Sequence, residues 1–206
     1  MRMKNRVMKC AIGLVPLFFM AFSCSTIPVP RINYRLPPLS ADNFKGKKIT
    51  LLLEDARDKK GVLGEGALKE FGPFSGNVSL TLSGDKGENV TLGIFDPGSL
   101  FMEAFKKRFE DLGVQAVSTR LPGQMILVIV LKEFRLDLID RKWVVKMGYE
   151  AKVEKDGLVI YRNNIKGDGE RLKLMGNAQA DILMSEVFTD VINRLDLKKV
   201  FSGSIL

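Results

Sequence analysis

The sequence predicts an α+β fold, a two-layer sandwich in which a mostly antiparallel sheet is covered on one face by two helices. Several short segments alternate apolar and polar residues as strands do, and turn residues separate them. Two longer segments have an apolar stripe at helical spacing. Strands that are joined by short turns build antiparallel sheets, and one-sided helices need a sheet face to cover.

The folded part is expected to begin at Lys47 and to form a single domain over residues 47–206. The apolar run 48–54 has the length of a strand and a β-branched start. It leads into Asp55-x-Arg57, where we expect the two side chains to fix a turn at the strand end.

Residues 61–95 are expected to form an insertion. Five glycines in 61–76 predict a mobile loop, and alternating residues on either side of Gly84 to Gly87 predict a hairpin. Phe71 and Phe74 flank Gly72-Pro73 in the loop, and exposed aromatic side chains can anchor a partner. They are therefore a candidate partner surface, and the alternative is that both rings fold back onto the core.

The first long helix is predicted to start at Asp96-Pro97, where the carboxylate can cap free amides and proline fits the first turn. Its apolar stripe runs to Leu112, and Gly113 is placed to end it in a left-handed turn. Arg108 is expected on its polar face.

Three strands and a closing helix are predicted in the C-terminal half. The strands are 125–138, 143–153 and 158–166, and Asp156-Gly157 between the last two is a hairpin signal. The apolar stripe 180–195 predicts the second helix, with Asn177 as a possible cap.

Residues 1–23 have the pattern of a secretory signal peptide, with a basic start and an apolar run over 10–22. Cys24 follows the small residue Ser23, as the lipid-attachment cysteine of a bacterial lipoprotein does, although Ala21 and Phe22 depart from the usual residues before it. We therefore predict lipid attachment at Cys24, which makes the membrane a partner.

Two alternatives compete with lipid attachment at Cys24. A transmembrane anchor needs about 20 apolar residues, and the run supplies 13. Ordinary signal-peptide cleavage would leave Cys24 as a free thiol, because the only other cysteine, Cys10, leaves with the signal.

Residues 24–46 are expected to be a tether. Four of the eight prolines, Pro28, Pro30, Pro37 and Pro38, lie in this segment, and they favour extended chain that could reach roughly 60 Å. The alternative is an ordered strip packed on the domain with Ile32, Tyr34 and Leu36 pointing inward.

Composition excludes several kinds of chemistry. The chain has no histidine, which rules out Ser-His-Asp and Cys-His catalysis and zinc sites built from Cys and His. Carboxylates such as Glu54, Asp55 and Asp58 lack calcium-loop spacing and are expected to be solvated. Removal of the signal halves the formal net charge of +8, so we expect no nucleic-acid partner. We predict no catalytic residue, cofactor or metal.

The order of these features resembles the YajG-like family of bacterial lipoproteins. The similarity is carried by Cys24, by Asp55-x-Arg57, by the helix LFMEAFKKRFEDLGV, by the strands ILVIVLKEFRLDL and WVVKMGYEAKVEKDGLVIYRNNIKG, and by the helix ADILMSEVFTDVINRL. The chain departs from the family over 61–95. The resemblance implies a periplasm-facing lipoprotein without an established enzymatic activity. Ser25 resembles the residue found in members sorted to the outer membrane.

We therefore predict a non-enzymatic, lipid-anchored binding or assembly module with an envelope protein as partner. The alternative is a carrier or sensor of a small apolar or lipid ligand, since 13 phenylalanines and nine methionines could line such a site.

Overall fold

The structure is a computed structural model and describes residues 29–38, 44–84, 88–120 and 123–202. Strands β1 to β8 span Arg31–Arg35, Lys48–Asp55, Val78–Ser83, Asn89–Phe95, Gln115–Val117, Ile126–Ile139, Lys142–Lys155 and Leu158–Leu172. Helices α1 to α4 span Glu65–Phe71, Pro97–Asp111, Ala178–Asn193 and Leu197–Ser202. None of the helices within these ranges combines the length and the apolar character that a membrane crossing requires. Cys24 lies outside the described residues.

The larger sheet has five strands in the order β5-β2-β6-β7-β8. The long strands β6, β7 and β8 pair antiparallel, as predicted, and the Asp156-Gly157 turn joins the last two. β2 pairs parallel with β5 and β6, which the sequence pattern did not indicate. The chain between β2 and β6 includes helix α2, and a crossover of this kind returns a strand in parallel orientation.

Helices α2 and α3 cover one face of the larger sheet, so the predicted α+β sandwich is confirmed. Asp96 caps α2, since its Oδ1 accepts hydrogen bonds from the backbone N–H groups of Gly98 and Ser99 at 2.9 and 3.1 Å. Gly113 follows α2 with a φ of 72°, a conformation that glycine adopts at no steric cost. Asn177 occupies the N-cap position of α3, as expected, but it caps the helix only through its backbone carbonyl. The Asn177 side chain makes no capping bond, because its backbone is not extended as a capping residue requires.

A second, smaller sheet has the order β1-β3-β4 and lies against α3 through β1. β1 falls inside the predicted tether, yet all five of its residues pair parallel with β3. Ile32 and Tyr34 are fully buried. The expectation of a free tether over 24–46 is therefore wrong at β1, and the alternative of an inward-facing strip is the one that the structure has. Burial of these two side chains favours the ordered arrangement.

Parts of the 61–95 segment belong to the core. Helix α1 takes the place of the predicted mobile loop, and Val78 and Leu80 of β3 are fully buried. Gly66 allows α1 to approach β6 closely, since a Cβ at this position would lie 2.0 Å from the carbonyl oxygen of Leu138. Here a glycine serves close packing, not mobility.

Arg108 departs from the expected pattern of α2. The sequence placed it on the polar face, but the side chain is buried. Its Nη1 donates to the carbonyl of Ile192 at 2.6 Å and its Nη2 donates to the carbonyl of Leu195 at 2.9 Å. These carbonyls lie at the C-terminal end of α3, where helix carbonyls have no partner within the helix and favour a cation.

Candidate functional site

Asp55 and Arg57 bond to each other at the end of β2. The Nε and Nη2 of Arg57 donate to the two carboxylate oxygens of Asp55, each at 2.9 Å, and the Arg57 backbone N–H donates to Oδ1 at 3.1 Å. These hydrogen bonds from Arg57 hold the pKa of the Asp55 carboxyl well below its usual range. A carboxylate stabilised in this way is a weak proton acceptor. The pair therefore fixes the turn after β2 and is poorly suited to acid–base chemistry.

Phe71 and Phe74 do not form an exposed pair. Phe71 is only 4% exposed and meets Trp143 edge-on, with ring centroids 5.8 Å apart. Phe74 is half-buried and packs on the same core. The expected partner surface is therefore wrong, because α1 turns the Phe71 ring inward, where aromatic burial is favourable.

The most distinctive polar arrangement joins the edge of β1 to helix α3. Three backbone amides of β1 donate to three side chains of α3: Arg31 N to Asp181 Oδ1 at 2.9 Å, Asn33 N to Ser185 Oγ at 2.9 Å, and Arg35 N to Thr189 Oγ1 at 3.3 Å. Asn193 continues the series, and its Nδ2 donates to the carbonyl of Arg35 at 3.0 Å. We call these four side chains of α3 the polar ladder.

The polar ladder fits β1 because two repeat lengths nearly coincide. Residues four apart on a helix are about 6.0 Å apart along its axis. Residues two apart on a strand are about 6.6 Å apart, and their amides point to the same side. One face of α3 can therefore satisfy every second amide of a strand edge, which would otherwise be open to other chains.

A groove of about 870 Å³ runs along the contact between β1 and α3. We call it the β1–α3 groove. Its polar lining combines outward side chains of β1, hydroxyl groups of β3 and the polar face of α3, including the polar ladder: Arg31, Asn33, Arg35, Thr81, Ser83, Asp181, Ser185, Glu186, Thr189, Asp190 and Asn193. α3 rises about 18 Å between Asp181 and Asn193. The groove therefore has room for about five residues of extended chain.

The charges in the β1–α3 groove are not balanced within it. Glu186 bonds to Arg171 at 2.9 Å and Asp190 bonds to Arg194 at 3.0 Å, so these carboxylates are already paired. Burial raises the pKa of the Asp181 carboxyl, although the hydrogen bond from Arg31 N and the charge of the Arg31 side chain oppose the shift. Among the described residues, neither Arg31 nor Arg35 forms an ion pair within 4.0 Å. The charge of Arg31 nevertheless acts on the Asp181 carboxyl and lowers its pKa against the effect of burial. Arg35 is thus the guanidinium group most available to an acidic ligand, and Arg31, which is also exposed, is held only by the weaker interaction with Asp181.

A second depression, of about 520 Å³, lies on the face of the larger sheet away from the helices. Lysines and carboxylates alternate on its walls, among them Lys146, Lys166, Glu133 and Asp137. Within the described part of the chain, no three acidic or cysteine residues lie close enough together to hold a metal ion. We therefore take the β1–α3 groove as the candidate site.

Sequence reasoning missed the groove. The signal was present, because Asp181, Ser185, Thr189 and Asn193 are polar residues four apart on the predicted helix. A polar face of this kind is typical of a solvated helix, and nothing in the spacing says that a strand edge covers it.

Comparison with known proteins gives a likeness of fold. No family model and no curated protein matches the chain, so the YajG-like resemblance stays a prediction. A crystal structure of a Xanthomonas campestris protein of the DUF330 family is similar over 86% of this chain and 96% of that chain, with a TM-score of 0.53 and 15% identity. A minor lipoprotein from Acinetobacter baumannii has a TM-score of 0.43 at 12% identity, covering 76% of this chain and 92% of that one. A Neisseria meningitidis lipoprotein has a TM-score of 0.29 at 13% identity, covering 71% and 99%.

Proposed function

We propose that the protein is a non-enzymatic, lipid-anchored module of the bacterial envelope that binds an extended, acidic segment of another envelope protein in the β1–α3 groove. The anchor is lipid on Cys24, which the signal-like sequence before it supports. The identity of Ser25 and the family resemblance support an outer-membrane protein that faces the periplasm.

The observation that carries the binding role is the unbalanced charge of the groove. Arg31 and Arg35 line it without an ion pair to any described residue, and only Arg31 of the two interacts with a groove carboxylate, Asp181. The other two acids of the groove, Glu186 and Asp190, are held by Arg171 and Arg194. Between the two arginines lie hydroxyl and amide groups, which suit the backbone and polar side chains of a peptide. Complementary charge steers such a segment to the groove and fixes its register.

The enzymatic alternative lacks support from the residues. Without histidine, a general base would have to be a carboxylate, lysine or tyrosine. The hydrogen bonds from Arg57 make Asp55 a weak base. Burial raises the pKa of the Tyr34 and Tyr149 hydroxyls, so neither is ready to lose a proton near neutral pH.

The apolar-carrier alternative has less support than peptide binding. Phe101 sits edge-on to Phe134, Tyr149 and Phe188, with centroid distances from 5.2 to 6.0 Å. The aromatic side chains that could have lined a ligand cavity therefore pack against one another.

Site-specific photo-crosslinking in a Gram-negative host tests the proposal. The full chain would carry benzoylphenylalanine in place of Thr81 in the groove, or in place of Asn164 on the far face of the larger sheet as control. We expect a discrete crosslinked product from position 81 alone. Mass spectrometry should identify the crosslinked segment of the product and show that it is acidic.

A charge-neutralised variant makes the test specific. R31Q/R35Q should reduce the crosslinked product by about tenfold or more, a loss of about 1.4 kcal/mol in binding. The control K146Q/K155Q removes the same charge elsewhere and should leave the product unchanged. Equal products from both variants, or no product from position 81, would overturn the binding proposal.

A further inference from the structure

Large apolar side chains are exposed together at one end of the molecule. Met175 is 97% exposed, and Leu172 and Leu174 are each 64% exposed. Ile139 is also exposed and lies in the same row of the sheet, because Lys142 pairs with Ile139 on one side and with Leu172 on the other. We call Ile139, Leu172, Leu174 and Met175 the apolar tip. Leu174 and Met175 border one shallow depression together. Several large apolar side chains exposed at one end of a molecule are typical of an interaction surface.

The apolar tip lies beside the point where the N-terminal chain enters the fold. α3 begins at Ala178, only three residues after Met175, and one turn later Asp181 holds the backbone of Arg31. Six residues separate Cys24 from Arg31, so the two are at most about 25 Å apart. Because β1 is part of the fold, the chain between Cys24 and the folded domain is much shorter than the predicted tether.

The immediate surroundings of the tip suit a bilayer surface. Arg141, Lys142 and Lys173 border it, and long basic side chains can extend to lipid headgroups while their stems cover apolar surface. Lys142 bonds to Glu170 at 3.0 Å and Lys173 pairs with Glu70. Because the cations are largely paired, the apolar side chains supply the attraction, and a strongly acidic membrane is not required.

We infer that the apolar tip inserts into the outer part of the bilayer that holds the Cys24 lipid, so that the β1–α3 groove opens next to the membrane. The inference rests on the lipid anchor of the proposed function. The tip and the acyl chains are then two attachments to one surface, a combination that binds stably where a single weak attachment does not. A partner segment in the groove would have to lie within a few nanometres of the membrane.

Quenching by spin-labelled lipid tests the inference on the lipoprotein itself. The M175C variant, purified from membranes, would carry an environment-sensitive fluorophore and be reconstituted into vesicles of phosphatidylcholine and phosphatidylethanolamine. The L158C variant is the matched control, because Leu158 is 70% exposed and lies at the opposite end, beside the β7–β8 turn. We expect nitroxide-labelled lipid to quench the probe at 175 at least threefold more than the probe at 158.

The intact mass of the same sample separates the two proposals. A lipidated chain with equal quenching at both positions would overturn the tip inference and leave the anchor standing. An unmodified Cys24 would overturn the lipid anchor and, because the tip inference rests on that anchor, the tip inference as well. Quenching that disappears in L172S/L174S on a folded, lipidated chain would support insertion through the tip. Quenching that persists in that variant would overturn it.

Discussion

Helix α3 is held by two sets of hydrogen bonds of opposite kinds, one along its length and one at its C-terminal end. Along its length, its own side chains accept hydrogen bonds from the backbone of β1, as at Asp181 and Ser185. At its C-terminal end, the backbone carbonyls of Ile192 and Leu195 accept hydrogen bonds from a side chain of another helix, Arg108. The first contact lies at the protein surface and the second is buried.

The two contacts differ in how much stability is lost when one hydrogen-bond partner is removed. When a partner is removed at the surface, solvent can take its place, so each bond there contributes about 1 kcal/mol. When Arg108 is removed, two buried carbonyls lose a charged donor and no water replaces it, so the cost is larger. We therefore expect the β1 contact to tolerate substitution better than the Arg108 contact.

The largest expected effect comes from R108L. Loss of two hydrogen bonds from a charged group should lower the free energy of unfolding by about 3 kcal/mol. Urea denaturation followed through the fluorescence of Trp143, the only tryptophan, measures it. K106L on the same helix is the control and should stay within about 0.5 kcal/mol of the unmodified protein. A cost for R108L below 1 kcal/mol would mean that the β1 contact and the Arg108 contact do not differ in this respect.

S185A should have an intermediate effect. It removes the acceptor of the Asn33 amide, so we expect a loss of about 1 kcal/mol. The Asn33 amide should also exchange its hydrogen faster, which hydrogen-exchange mass spectrometry or NMR measures. S79A, at a polar position of the neighbouring strand, is the matched control. Unchanged exchange at Asn33 in S185A would show that the polar ladder does not hold β1.

The smallest effect concerns pH. The pKa of Asp181 is raised above its ordinary value of 3.8 by burial. The contribution of Asp181 to the free energy of unfolding is therefore fully present below pH 3.8. It is lost as the pH rises through the pKa that Asp181 has in the folded protein. The pKa of Asp55 is lowered by hydrogen bonds from Arg57. Its contribution is present above pH 3.8 and is lost as the pH falls.

Denaturation of D181N and D55N between pH 3 and pH 7 checks the two signs. Relative to the unmodified protein, D181N should gain stability as the pH rises, whereas D55N should lose it. Slopes of the same sign in both variants would contradict the assignment of one shift to burial and the other to Arg57.

The elements whose signals are local could be predicted from the sequence. The Asp96 cap, the left-handed Gly113 and the Asp156-Gly157 turn each depend on a few neighbouring residues. Parallel pairing of β2 and β6 depends on which distant segments come together in the fold. The alternation of apolar and polar residues predicts a strand but not its pairing partner. The β1–α3 groove likewise depends on distant segments that come together.

Burial of Arg108 shows the limit of pattern reasoning. The residue is four positions after Ala104, on the apolar stripe of α2. Its charge nevertheless favoured the polar face, because Arg is almost never fully buried unless paired. The carbonyls that satisfy the buried guanidinium lie at and just after the C-terminal end of α3, more than 80 residues away in the chain.

The alignment of β1 has a mechanical consequence. A load applied to β1 through Arg31 along the strand axis would shear the hydrogen bonds to β3 and α3, which run across that axis. A load in this direction is shared by all the bonds together and does not open them one after another. If the proposed anchor and partner are both present, tension between them would load β1 in shear, and the hydrogen bonds to β3 and α3 would resist it together.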